Sequence, residues 1–340
     1  MHRYVGGMTD IELLQVDSAP RWRSIYTYAV WKRVIGGSLQ LLRDYVRFII
    51  ILFKRPDLVH LTTSGNLAVI RDLVISMLAW LCHIPIVYHL RFGRVPDIAG
   101  SNSMEWQIMK WVMRMANVTI AITPFTYQTI NEYLPQIRVE YVPNPIDFTE
   151  LPISWARKET NKRVLFLGWV IPAKGIEELV NVWTQLDLED WTLQIVGPGD
   201  NIYKQHLIEK YNPRNLYFIG ELGHQQAMEL MSQCDIFVLP SYTEGFPNVI
   251  LEAMALGKAI VATRVGAISD MLAGECGILV EPKNVEDLRL ALLQLVYDES
   301  FRLQLGRQAY AKAREKYSID IVFARYIEIW QSLCSERRNT

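Results

Sequence analysis

Two carboxylates, Glu244 and Glu252, stand eight positions apart around a Gly-Phe-Pro-Asn turn in the stretch SYTEGFPNVILEAMALGKAIVATRVG, residues 241–266. The turn follows an apolar run, DIFVLP, that ends at Pro240, and it leads into an apolar helical run. Pro247 suits the first position of that helix, where its missing N–H costs nothing. A helix N-terminus at the carboxyl end of a strand offers backbone N–H groups and the positive end of a dipole to an anion. Glu244 can accept hydrogen bonds from ligand hydroxyls beside that anion. Glu252, one to two turns into the helix, can engage a second pair of hydroxyls further along the same ligand. Hydroxyls at both ends with phosphates between them describe a nucleotide sugar.

The elements that must hold these residues can be read from the apolar runs. After Arg163 the runs RVLFLG, TLQIVG, NLYFIG, DIFVLP, AIVATR and GILVE alternate with helical stretches, which predicts a parallel sheet covered by helices on both faces. The first half follows the same pattern, with IELLQV, LVHLTT, IPIVYHL, VTIAIT and RVEYV as expected strands. Between the halves, residues 143–162 are rich in proline and polar residues and read as a linker. At 340 residues the chain exceeds the ~250–300 at which one core stops growing, so two domains are expected. The expected division is 1–150, 151–315 and a final helix, 316–340, whose apolar face must pack back onto something. Leu73–Leu90 carries no acid, lysine or arginine, yet Pro85 splits it into a buried helix and a strand rather than a membrane span.

The stretch from Glu244 to Glu252 closely resembles the Glu-x7-Glu signature of the retaining glycosyltransferases of family 4. The resemblance extends over GWVIPAKG, IVGPGD, FIGEL and VGAISDML, and more loosely to YVPNPIDF at the linker entry. It implies the GT-B fold, an α/β architecture of two Rossmann-like domains facing a cleft, with the C-terminal helix returning to the N-terminal domain. By that resemblance Glu244 contacts the transferred sugar and Glu252 the ribose hydroxyls. Lys174 holds the diphosphate, and Gly168, Trp169, Gly197, Ile219, Gly220, Gly245, Phe246, Pro247 and Asn248 line the rest of the donor site. The donor would be a UDP or GDP sugar, with no other cofactor. No metal is implied if Lys174 and the helix terminus neutralise the leaving phosphate, and the sequence has no Asp-x-Asp motif.

The pattern departs in two places. Family members usually carry an arginine directly after the glycine of the first C-domain strand, where this chain has Trp169; either another basic residue such as Arg264 substitutes or diphosphate binding is weaker, and the indole can instead stack on the base or pack against the lysine stem. A GT-B N-terminal domain also opens with a strand, a glycine-rich loop and a helix, whereas only MHRYVGGMTD precedes IELLQV here. The front is therefore expected to be short by about one βα unit, with Gly6 and Gly7 as the remnant of the loop.

On the acceptor side, His89 ends an expected strand and is a candidate for sugar contact by the resemblance, while Arg91 and Arg94 just beyond it can meet an acceptor phosphate. Residues 21–55 hold eight basic residues and one acid among aromatic and apolar ones, a composition that suits an interfacial helix on anionic lipid as well as a helix packed on the sheet. The acceptor implied is a glycan or lipid-linked saccharide of a cell-surface polysaccharide pathway.

Half of the residues are apolar and 21% are charged, which excludes a disordered chain. The net charge of -1 gives no overall basic field, so no nucleic-acid partner is expected. The N-terminus lacks the apolar core of a signal peptide, and the four cysteines lack metal or redox spacing. A cytoplasmic protein with reduced thiols, peripheral on the cytoplasmic membrane face through residues 21–55, is the expectation. GWVIPAKG and VGPGD do not supply the dinucleotide fingerprint, which disfavours an oxidoreductase. Two alternatives to a transferase stay open: a non-catalytic or impaired nucleotide-sugar binder, and a nucleotide-sugar epimerase of the same fold.

Overall fold

The structure, a computed structural model, describes residues 11–16, 30–152 and 161–338. The chain forms two compact units. The first comprises Met1–Ala121, Tyr127–Tyr141 and Arg325–Thr340, and the second comprises Ile122–Thr126 and Val142–Ala324.

In the first unit, α1 (Val30–Leu52) precedes β1 (Val59–Thr63), α2 (Ala68–Leu81), β2 (Ile86–Leu90), α3 (Val95–Gly100), α4 (Met104–Met115), β3 (Val118–Ala121), α5 (Pro124–Tyr133, which joins this unit from Tyr127 on) and β4 (Val139–Tyr141). The strands pair in parallel in the order β1-β2-β3-β4. Every residue of β2 and β3 is buried, which is why these runs are apolar throughout rather than alternating. The apolar segment 73–90 divides as Pro85 requires: α2 ends at Leu81, His83 turns with φ +56°, and β2 begins at Ile86.

One expected strand is absent. Residues 11–16, IELLQV, carry no ladder. A strand exists only if a neighbour accepts it, and among the described residues β1 pairs only with β2. Instead, Ile11, Leu13, Leu14 and Val16 line a cavity of about 850 Å³ beside α1 and β1. Gly6 and Gly7, residues 21–29 of the basic stretch and 153–160 of the linker lie outside the described residues.

The second unit contains β5 (Arg163–Leu167), α6 (Ile176–Leu186), β6 (Thr192–Val196), α7 (Asn201–Tyr211), β7 (Leu216–Gly220), α8 (His224–Gln233), β8 (Ile236–Leu239), α9 (Asn248–Ala255), β9 (Ala259–Thr263), α10 (Ile268–Leu272), β10 (Ile278–Val280), α11 (Val285–Tyr297) and α12 (Glu299–Tyr317). Its strands are all parallel, in the order β10-β9-β8-β5-β6-β7. The tail breaks at Ser318, where the Ile146 N–H donates to the Tyr317 carbonyl at 2.8 Å and the Ile319 N–H to the Ile146 carbonyl at 2.9 Å. The last helix, α13 (Ile319–Arg338), follows. From Arg325 on it belongs to the first unit: Arg337 donates to the Pro56 carbonyl at 2.8 Å, and Arg325 bonds Glu140 at 3.1 Å. Among the described residues, no helix is long and apolar enough to cross a membrane.

Candidate active site

In the second sheet β5 lies between β6 and β8, so connections leave it in opposite directions and the strand order reverses there. Ligands of open α/β sheets bind at the carboxyl ends of strands at such a point. The loops after β5 and β8 carry Lys174 and Glu244. After β5 a short 3-10 turn, Pro172–Lys174, ends at Gly175, whose φ is +67°. A Cβ at Gly175 would sit 2.1 Å from the Pro240 carbonyl oxygen, so only glycine lets this turn press against the end of β8. The Tyr242 N–H donates to the Ala173 carbonyl at 2.9 Å, tying the two loops together. The turn after Glu244 is held from its other side by Gly266, where a Cβ would lie 2.1 Å from the Glu244 carbonyl oxygen, and by the Ala267 N–H, which donates to the Gly245 carbonyl at 2.9 Å.

These constraints bring Lys174 Nζ to 2.5 Å from Glu244 Oε1, with the side chains 23% and 11% exposed. At that burial the pair is poorly screened by solvent, unlike the surface ion pairs whose net worth is near zero. A partly enclosed ammonium and a carboxylate at a strand switch point form a site that can hold phosphate oxygens on one side and sugar hydroxyls on the other.

The remaining expected donor residues take up the neighbouring strand ends. The Gly168 N–H donates to the Val196 carbonyl at 2.9 Å and the Gly197 N–H to the Gly220 carbonyl at 2.8 Å, which places the three glycines at consecutive strand ends. Trp169 and Ile219 are partly exposed beside them. Phe246 is buried edge-on against Tyr317. Pro247 caps α9 rather than opening it: its ψ of 108° is extended, and Asn248 is the first helical residue. Asn248 Oδ1 accepts from Asn144 Nδ2 at 2.9 Å, a contact that the spacing of the motif does not reveal. Glu252 lies in the second turn of α9, and burial pushes its carboxyl up to about 7. His224 Nδ1 is 3.9 Å from Glu252 Oε1, a second neighbour missed in the sequence because a lone exposed histidine carries no pattern. Arg264, one of the residues that could stand in for a cation at Trp169, is paired with Glu281 at 3.2 Å.

In the first unit, His89 is the last residue but one of β2, with its ring buried, and its Nδ1 is 3.1 Å from His60 Nε2. His60, one strand over on β1, reads by sequence as a structural histidine, because nothing local distinguishes it from a core one. Burial is the largest cause lowering both rings, His60 to about 4 and His89 well below the usual histidine range; the Arg91 charge adds to both, and in His89 the neighbouring His60 adds as well. Arg91 follows β2, its N–H bonding the Thr63 carbonyl. The guanidinium of Arg94 lies over the Phe92 ring and pairs with Glu105 at 2.8 Å.

Two family models cover most of the chain: one described as Glycosyltransferase Family 4 matches residues 16–150, and one described as Glycosyl transferases group 1 matches residues 147–312. The chain is 32% identical over 145 residues to an uncharacterized glycosyltransferase of Methanocaldococcus jannaschii, covering 42% of this chain and 40% of that one. It is 30% identical over 194 residues to the N,N'-diacetylbacillosaminyl-diphospho-undecaprenol alpha-1,3-N-acetylgalactosaminyltransferase of Campylobacter jejuni, covering 56% of this chain and 50% of that one. The aligned part thus spans about half the length of these curated relatives or less. HepE of Anabaena, solved in complex with UDP, superposes with a TM-score of 0.71 at 20% identity, covering 87% of this chain and 83% of that one, which shows a shared fold.

Proposed function

The chain belongs to the GT4-type glycosyltransferases of GT-B fold, and from that premise we propose that it moves a sugar from a nucleotide diphosphate sugar to an acceptor hydroxyl with retention at the anomeric carbon. The observation that carries this reading is the Lys174–Glu244 pair at the switch point of the second sheet. In the free protein each partner neutralises the other. A bound diphosphate draws Lys174 to its oxygens and leaves Glu244 to accept from the sugar hydroxyls. As the bond to the sugar breaks, charge grows on the leaving phosphate, where a fixed cation stabilises the transition state more than the ground state. That phosphate then takes the acceptor's proton, so no covalent nucleophile is required. His89 is assigned to the sugar, and Arg91 and Arg94 to the acceptor. The UDP complex of HepE supports a UDP sugar as the first donor to test. The Campylobacter relative's name supports a lipid-linked saccharide as the acceptor class. A thermal-shift panel of UDP, GDP, ADP and CMP sugars tests the donor, because ligand that binds only the folded state raises the melting temperature by mass action. Acceptor-dependent release of the nucleoside diphosphate tests the reaction. Binding without release across a broad acceptor panel would identify a non-catalytic binder instead.

Glu252 gives the nucleotide half of the site a signature in pH. Its carboxyl titrates near 7 because burial disfavours the charged form. Ribose hydroxyls donate to the ionised form and favour it, so UDP binding near neutral pH is expected to release a proton, and affinity to rise as pH rises through about 7. Calorimetry in buffers of different ionisation enthalpy reads that proton, and Glu252→Gln should abolish it. The same shift acts on folding with the opposite sense. A raised carboxyl stabilises the fold at pH below its ordinary value, and this contribution is lost as pH rises through about 7.

The membrane is the second partner we assign, through α1. The helix buries Asp44 and Phe48 while Leu42, Val46, Ile49 and Ile50 stay exposed at i, i+4, i+7 and i+8, on a second face, and Phe53 in the turn just past its end is exposed as well. Arg43, Arg47, Lys54 and Arg55 flank that apolar stripe. Such a helix suits the boundary of an anionic bilayer. Phe53→Asp should weaken sedimentation with phosphatidylglycerol vesicles by about tenfold or more, since one buried aromatic is worth roughly 1.5–3 kcal/mol. An unchanged vesicle-bound fraction would remove α1 from this role.

A further inference from the structure

Three side chains from distant parts of the sequence form a chain of hydrogen bonds inside the first unit. Trp330 Nε1 lies 3.1 Å from His60 Nδ1, and His60 Nε2 lies 3.1 Å from His89 Nδ1. The rings stack edge-on: His60 is 5.3 Å from His89 and 5.7 Å from Trp330, and Tyr326 tilts against His89 at 5.7 Å. The proton positions follow from donor chemistry. An indole N–H can only donate, so His60 Nδ1 must be an acceptor. The proton of neutral His60 is then on Nε2, and it can only be given to His89 Nδ1. That leaves the proton of neutral His89 on its own Nε2. Burial keeps both rings neutral at physiological pH.

His89 Nε2 is buried and has no hydrogen-bond partner among the described residues. A buried donor left unmade costs about 1–3 kcal/mol, so such a group calls for an explanation. In this arrangement the unmade bond is the open end of a directed relay. We propose that His60 and Trp330 are positioning residues, which together hold His89 as the Nε2–H tautomer so that this proton is the one offered to an oxygen of the donor sugar. The inference rests on the assignment of His89 to the sugar under the reading above. It adds to that reading two residues that touch no substrate and the reason one of them is a histidine: only an imidazole can accept from Trp330 at one nitrogen and donate to His89 from the other while staying flat between two rings. A glutamine at position 60 can reproduce both bonds through its amide, whereas a leucine can reproduce neither.

The tautomer can be read without any substrate. Long-range proton–nitrogen correlation spectra of ¹⁵N-histidine-labelled protein at neutral pH should show both His60 and His89 protonated on Nε2. His60→Leu should convert His89 to a mixture of tautomers, His60→Gln should keep it on Nε2, and the milder Trp330→Phe should release His60 from its single form. His89 protonated on Nδ1 in the unaltered protein, or on Nε2 unchanged in His60→Leu, would overturn the relay. The second readout is the affinity of UDP-glucose relative to UDP. His60→Leu should cut the sugar's share of that affinity about tenfold with UDP binding itself unmoved, and His60→Gln should restore most of it; an equal loss for both ligands would mean a merely structural role. If the spectra behave as expected but His89→Ala leaves the ratio of the two affinities untouched, the relay stands and the assignment of His89 to the sugar falls.

Discussion

Glu244→Gln is expected to lower kcat by about 10²–10³-fold, the range found when one preorganised polar group is removed from a transition-state site. The affinity for UDP should hold or tighten a few-fold. The two effects part because Glu244 does two different things. In the free protein its carboxylate competes with phosphate for Lys174 at 2.5 Å, and a neutral amide competes less. In the reacting complex it accepts from hydroxyls of the group being transferred, and there an amide is a poorer acceptor for a sugar that is gaining positive charge. Steady-state kinetics with calorimetric UDP binding separates the two. A variant that bound UDP tenfold more weakly but kept its kcat would exchange the roles of Glu244 and Glu252.

Lys174→Met should instead strike both terms, with kcat/KM down by about 10³-fold and UDP affinity down by about tenfold or more. A charge-assisted hydrogen bond is worth roughly 1.5–3 kcal/mol in binding, and the developing charge on the leaving phosphate asks for more. The loss should be severe here because Trp169 stands where the family resemblance implies a second cation, and Arg264 is engaged by Glu281 at 3.2 Å. Methionine keeps an unbranched stem of similar length, so the folded state should survive. Full UDP affinity in Lys174→Met would show that another group holds the diphosphate.

The strands of both units were legible because strands buried on two faces must be apolar, and the chain offered runs of that kind between helical segments. Residues 11–16 show the limit of that reasoning: their composition suits a strand, but pairing depends on which edge a distant strand leaves open. The helix at Asn248 was legible to within one residue, as Pro247 takes the cap instead of the first turn. Glu244 and Glu252 could be paired by reading, since eight positions around one turn is a local fact. Lys174 could not be joined to Glu244 from spacing alone, because the two meet only when β5 and β8 become neighbours, and it was the family resemblance that brought them together. Asn144, His60 and Trp330 stayed invisible for the same physical reason: each contact is made by topology between residues with no shared local pattern.

The first unit borrows part of itself from the far side of the second. Trp330, which closes the bond to His60 Nδ1, is 270 residues downstream of it. At ~5–20 residues per second, a ribosome reaches Trp330 roughly 15–50 s after His60 has been made. The second unit draws all but five of its residues from the unbroken run Val142–Ala324, which is complete six residues before Trp330 is made. The half of the protein that is synthesised first is thus completed last, and the newborn chain spends that interval with His60 unpaired at its indole-facing nitrogen, at the stage of its life when a chaperone would meet it.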